Sequence, residues 1–293
     1  MVAIGFIEKL FTAKFRSRFG KFILYVAIIS FLIHLLYYFY STYFFSLHPD
    51  RLLESPINAI YTPFSFLLVY EAYLLLYYLP QSTSIYIGKQ YEIITLILIR
   101  GIFKDITHLN LNQQTGLISF QNKLWYDLAT VLLVFLLTFL FYKISNRPQK
   151  VYSSSDTKLP PADIERFILA KKFLSAILLI ISIIIGFYAL LNWAADTSAY
   201  HDLQSALDIN SIFFDQFYTL LIISDVIILL LSLFYTDDYP KIIRNSSFVI
   251  STILLKLSFS ADGILEQLLI ISGVGFGVAM YALSNLFNRI TVN

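Results

Sequence analysis

Five stretches of this 293-residue chain run for 14 to 20 residues with at most one charged residue each, and nothing else in it limits the fold as tightly. They are Ile23 to Leu36, Leu128 to Tyr142, Phe173 to Leu191, Leu220 to Tyr235 and Ile264 to Leu283. A hydrocarbon layer of about 30 Å needs about 20 helical residues at 1.5 Å each, a length these runs reach with their flanks. The core of a soluble domain shows shorter runs, punctuated by polar faces. Composition agrees, since only 14% of residues are charged, against about 25% in ordinary soluble domains. The fold class expected is all-α, a polytopic integral membrane protein.

Charge placement sets the expected topology, because short loops rich in Lys and Arg stay cytoplasmic. Lys9, Lys14, Arg16, Arg18 and Lys21 precede the first span, opposed only by Glu8. Residues 1–20 read as a basic amphipathic cytoplasmic arm, with Ile4, Phe6, Ile7, Leu10, Phe11 and Phe15 on the side that meets the inner leaflet and its anionic lipid. A second basic segment runs from Lys143 to Lys172, and within it the linker 144–166 carries Ser153 to Ser155 and Pro160-Pro161, a linker composition. Spans are expected at roughly 21–45, 58–80, 88–106, 125–143, 168–192, 214–236, 243–260 and 263–287. Both termini are then cytoplasmic, in the inner (plasma) membrane. The third and seventh spans have short apolar runs flanked by charge, and a re-entrant course is their alternative.

The chain also repeats itself. Lys21-Phe22 opens the first membrane segment, 21–143, as Lys172-Phe173 opens the second, 167–293. An acid follows 50 residues later in one half, Glu71, and 53 residues later in the other, Asp225. A base comes 29 residues after Glu71, Arg100, and 31 after Asp225, Lys256. Asp127 and Glu266 open the fourth spans. With an even number of spans in each half, the halves are expected to be parallel four-helix repeats.

An Asp or Lys at the centre of a membrane helix costs roughly 2.5–3.5 kcal/mol on insertion scales, so each such charge wants a partner. The spacing predicts two pairs, Glu71 with Arg100 and Asp225 with Lys256. Lys89, Glu92, Arg100 and Lys104 fall on or near one stripe of the third helix, expected to face the bundle interior. Such pairs either fix helix register or line an ion or proton path. Gly273 and Gly277 form a G-x-x-x-G step for close packing, within the chain or between subunits. His34 is a hydrogen-bonded core residue or a proton relay.

The segment DVIILLLSLFYTDDYPKIIRNSSFVISTILLKLSFSADGILEQLLIISG, from Asp225, resembles the phosphate-starvation-inducible PsiE family of four-span membrane proteins. The likeness lies in an acid within one span, a proline followed by a base at the next, and a further base about 30 residues after the acid. Here these are Asp225, Pro240 with Arg244, and Lys256. The sequence has Asp and Lys where that family's pattern has Glu and Arg. The resemblance implies a four-helix unit and no particular activity.

Other chemistry finds no motif. The absence of cysteine excludes disulfides and thiolate metal sites. His48 near Asp50, and His201 beside Asp202, offer two ligands each, too few for a metal site. No G-x-S-x-G elbow, phosphate loop or catalytic carboxylate pair appears, and the span after Thr107 to Leu124 carries no arginines of a voltage sensor. That loop, with its alternating Leu117 to Phe120, reads as a short hairpin or as a surface for partner contact. The chain is expected not to be an enzyme, to bind no nucleic acid and to carry no cofactor. Two functions remain: an ion channel or proton- or ion-coupled transporter, and a non-catalytic sensor or scaffold, in either case as a homo-oligomer or with a membrane partner.

Overall fold

The computed structural model describes residues 10–44, 59–107, 114–145, 161–199, 204–235, 238–261 and 263–290. Among them lie eight long helices: α1 (Ala13–Phe44), α2 (Tyr61–Tyr78), α3 (Thr83–Thr107), α4 (Gln114–Ser145), α5 (Pro161–Ala199), α6 (Gln204–Tyr235), α7 (Tyr239–Ser258) and α8 (Ile264–Ile290). Five of the eight are long and apolar enough to cross a membrane: α1, α4, α5, α6 and α8. Their apolar side chains face outward, and only 11% of the apolar window of α1 is buried. A soluble protein rarely exposes apolar patches of more than a few hundred Å²; lipid is the solvent that accepts such a surface.

Eight apolar crossings were expected, and α2, α3 and α7 fall short of that standard for separate reasons. The 18 residues of α2 include five tyrosines and Glu71. Lys89, Glu92, Arg100 and Lys104 interrupt α3, and Lys241, Arg244 and Lys256 interrupt α7. The hairpin expected around Leu117 to Phe120 is absent, because those residues already belong to α4. The linker residues 146–160, the residues Ile4, Phe6 and Ile7 of the arm, and both His–Asp clusters lie outside the described residues.

The helices group into two compact units, Met1–Tyr77 with Arg100–Asn112 and Ala176–Phe217, and Tyr78–Ile99 with Gln113–Ser175 and Tyr218–Asn293. Each unit draws on helices from before and after the 144–166 segment.

In the first unit, the Thr12 hydroxyl accepts from the Phe15 amide at 3.2 Å and starts α1. Phe11, Phe15 and Phe19 then stack against Tyr70, Tyr73 and Tyr77 of α2, with ring centroids 4.9 to 6.4 Å apart. The Tyr73 hydroxyl donates to the Leu10 carbonyl at 2.8 Å. The apolar side of the arm, as far as it is described, therefore packs on protein and not on lipid. Aromatic rings offered by α2 at every turn give it a closer-fitting partner than acyl chains do.

In the second unit, Gly263 adopts a φ of +63° that few residues other than glycine tolerate, and it turns the chain from α7 into α8. Glu266 follows in the first turn of α8, where the helix dipole favours a carboxylate. Phe141 of α4 forms the centre of this unit, fully buried among the rings of Tyr91, Phe248 and Tyr281. The G-x-x-x-G step is used within the chain: Gly273 lies against Ser251 and Leu254 of α7, and Gly277 against Tyr91. Ser251 donates to the Gly273 carbonyl at 2.7 Å and its hydroxyl meets that of Tyr91 at 2.9 Å.

A Cβ at position 277 would overlap the Tyr91 hydroxyl. Gly277→Ala is expected to lose about 1–3 kcal/mol and to lower the melting temperature in detergent. Adding Tyr91→Phe, which removes the overlapping oxygen, should return part of the loss. An unchanged melting temperature for Gly277→Ala contradicts this packing.

Candidate functional site

Of the two pairs expected from sequence, one forms. Arg100, at the far end of α3, sits near the level of Phe64 and reaches back along α2. Its Nη2 donates to Glu71 Oε2 at 2.5 Å and its Nη1 donates to the Phe64 carbonyl at 3.3 Å. The two side chains are 10% and 9% exposed, and the rings of Phe64 and Phe103 pack against each other with centroids 5.4 Å apart. Base and acid are in direct contact here. In the same unit His34 Nδ1 shares a hydrogen bond of 2.6 Å with the Thr62 hydroxyl, so it is engaged by a neutral partner.

The second pair does not form. Lys256 Nζ donates to Thr219 Oγ1 at 2.6 Å, and Thr219 stands six residues from Asp225, about 9 Å along the axis of α6. Helices joined by a short turn meet at similar distances from it. Asp225 lies ten residues before the end of α6, whereas Lys256 lies seventeen after the start of α7 and Thr252 thirteen. Thr252 is accordingly the α7 residue that reaches Asp225.

What surrounds Asp225 is a polar cluster. Its Oδ2 accepts from Gln90 Nε2 at 3.4 Å, a long bond, and Gln90 Oε1 in turn accepts from the Thr252 hydroxyl at 3.2 Å. The Tyr86 hydroxyl lies beside the carboxylate, buried and without a hydrogen bond of ordinary geometry among the described residues. The cation that acts on Asp225 is Lys171 of α5, itself 3% exposed and donating to the Gln81 carbonyl at 2.7 Å. Asp225, Lys171, Tyr86, Thr83 and Asn245 line one pocket, walled by Ile228 and Phe248. Its free interior takes a water-sized particle and is too small for an organic solute.

Lys171 is expected to be one charge among many in the cytoplasmic segment from Lys143 to Lys172, and no charge or motif marks Gln90, Thr252 or Tyr86. For α3 the signal is periodicity: Tyr86 and Gln90 stand one helical turn apart, and with Tyr91 and Ile94 they form the buried face of α3. The stripe chosen from charge is the wrong one over its first half. Lys89 and Glu92, expected to face the interior, have side chains 29% and 40% exposed and pair with each other at 2.6 Å, Glu92 also accepting from Tyr142. Neutral Tyr, Gln and Thr are cheaper to bury than Lys and Glu, so they take the interior face. The side chain of Lys104 lies outside the described residues. Asp127 accepts from Gln267 Nε2 at 2.6 Å, which ties α4 to α8 beside Glu266. Among the described residues, no group of three or more His, Asp or Glu side chains is placed to hold a metal ion.

No protein-family model matches the chain, no curated protein matches it, and no solved structure matches its fold.

The closed pair makes a stability statement. Arg100→Met alone is expected to cost about 3–5 kcal/mol by stranding a buried carboxylate. The double change Glu71→Leu with Arg100→Met should recover most of that in thermal unfolding, and equal losses for the single and double variants would show that the pair does not behave as a unit.

Proposed function

We propose that this membrane protein moves protons or a small monovalent cation, and that Asp225 is the carboxylate that takes up and releases the charge. One observation carries this reading: a buried carboxylate and a buried ammonium line a polar pocket of about one water's size, and neither is saturated by the other. The bond that Asp225 accepts from Gln90 is long, its other polar neighbours are the hydroxyls of Tyr86 and Thr252, and Lys171 donates to a backbone carbonyl. A pair whose purpose was stability would close up as Glu71 and Arg100 do. Keeping acid and base apart inside lipid-facing helices forgoes coulombic energy, which is expected where charge has to exchange. The small pocket favours a proton or a bare ion over an organic solute.

The proposed activity is non-enzymatic. In this reading α2, α3 and α7 also lie within the thickness of the membrane, their charged side chains held by hydrogen bonds and ion pairs, which makes eight crossings with both termini cytoplasmic. Spacing in the sequence is what supports the two-repeat arrangement. The competing reading is a non-catalytic sensor or scaffold, favoured by the closed Glu71–Arg100 pair.

In proteoliposomes loaded with a pH-sensitive dye or with Na⁺ or K⁺, the protein should support flux that Asp225→Asn reduces at least about tenfold, a change of about 1.4 kcal/mol or more in the barrier. Glu71→Gln should lower thermal stability and leave the flux per folded molecule near that of the parent. Absence of flux in the parent for every ion tried, with both variants changing stability only, selects the scaffold reading.

A further inference from the structure

The exposed face of α1 carries charge in one segment and apolar side chains in the next. Lys14, Arg18 and Lys21 recur at four- and three-residue spacing, which places them on one stripe. All three are exposed, and none makes a hydrogen bond or an ion pair with any described residue. Arg16, on the other side of the same turns, is held over the Tyr77 ring at 5.1 Å. The stripe then continues without a break through Tyr25, Ile29, Leu32, Leu36 and Tyr43, each exposed. From Phe22 to Tyr43 is 21 steps, about 32 Å of helix, which matches a hydrocarbon core of about 30 Å. The three bases thus occupy the two turns just beyond that core, at headgroup level.

We propose that Lys14, Arg18 and Lys21 bind the headgroup of an anionic phospholipid whose acyl chains lie along the apolar stripe of α1. Two independent features select this occupant. The bases lack any carboxylate among the described residues, which leaves them exposed to an anion, and an apolar surface of membrane length begins at the same point on the same face. A soluble anion matches the first feature only. The aromatic ladder explains why the site is held: Phe15 and Phe19 fix one side of α1 to α2, which turns the basic side outward and keeps the three ammonium and guanidinium groups in register. The lipid contact expected of the arm's apolar side passes to its basic side, with acyl contact made further along the helix.

The test uses the full chain with Trp125→Phe and Trp193→Phe, and Tyr25→Trp as reporter one turn beyond Lys21. It is reconstituted into phosphatidylcholine vesicles containing one brominated lipid, either phosphatidylglycerol or phosphatidylcholine. Brominated phosphatidylglycerol should quench the reporter about fivefold or more better per lipid than brominated phosphatidylcholine, a factor set by about one favourable basic contact. Lys14→Gln, Arg18→Gln and Lys21→Gln together should bring the two to parity with phosphatidylcholine quenching unchanged, which shows that the helix still sits in the bilayer. Parity in the parent, or a preference that survives the triple substitution, overturns the proposal. Quenching by neither lipid also overturns it, since the stripe would then be covered by protein.

Discussion

Hydrocarbon does not solvate charge, so every ionised group carried into the membrane by these helices has to be answered from within the protein. That constraint explains why the chain places so few charges in its apolar segments, and why those present are surrounded by specific donors and acceptors. It also separates the helices by role. Those with long apolar runs, α1, α4, α5, α6 and α8, present apolar faces outward. The charged helices α2, α3 and α7 spend their polar residues on contacts with neighbours.

The two buried acids meet the constraint in opposite ways. Glu71 is met directly by Arg100, whose guanidinium also donates to a backbone carbonyl. Asp225 sits among amide, hydroxyl and phenol groups with an ammonium acting on it from α5. Dipoles of neutral side chains stabilise a charge without fixing it, and they rearrange at small cost when that charge changes. The proposed transport role rests on this contrast between a direct pair and an open cluster.

Close approach supports the cluster. Tyr91 can meet Ser251 only because position 277 lacks a side chain, and Ser251 in turn binds the carbonyl of Gly273. Those contacts fix α3, α7 and α8 in one register, and Gln90 and Thr252, each next in sequence to a residue of this junction, are thereby set beside Asp225. Small residues in the last helix thus act on the polar site through packing, the usual role of such residues where lipid removes the hydrophobic drive between helices.

The helical class and the membrane setting were legible in the order of residues, because a run of about twenty apolar residues has few physical outcomes. So was the pair of Glu71 and Arg100, where a long flexible side chain forgives an error in depth. The partner of Asp225 was not. Spacing along the chain measures neither the depth at which two helices cross nor the rotation of each about its axis, and a shift of four residues in α7 exchanges Lys256 for Thr252. Lys171 illustrates the same limit, since it is indistinguishable in sequence from the exposed Lys172 beside it and only packing decides which of the two is buried. Local chemistry determines that a helix forms and what solvent it tolerates, whereas which faces meet depends on the packing of several helices at once, and that is settled in three dimensions.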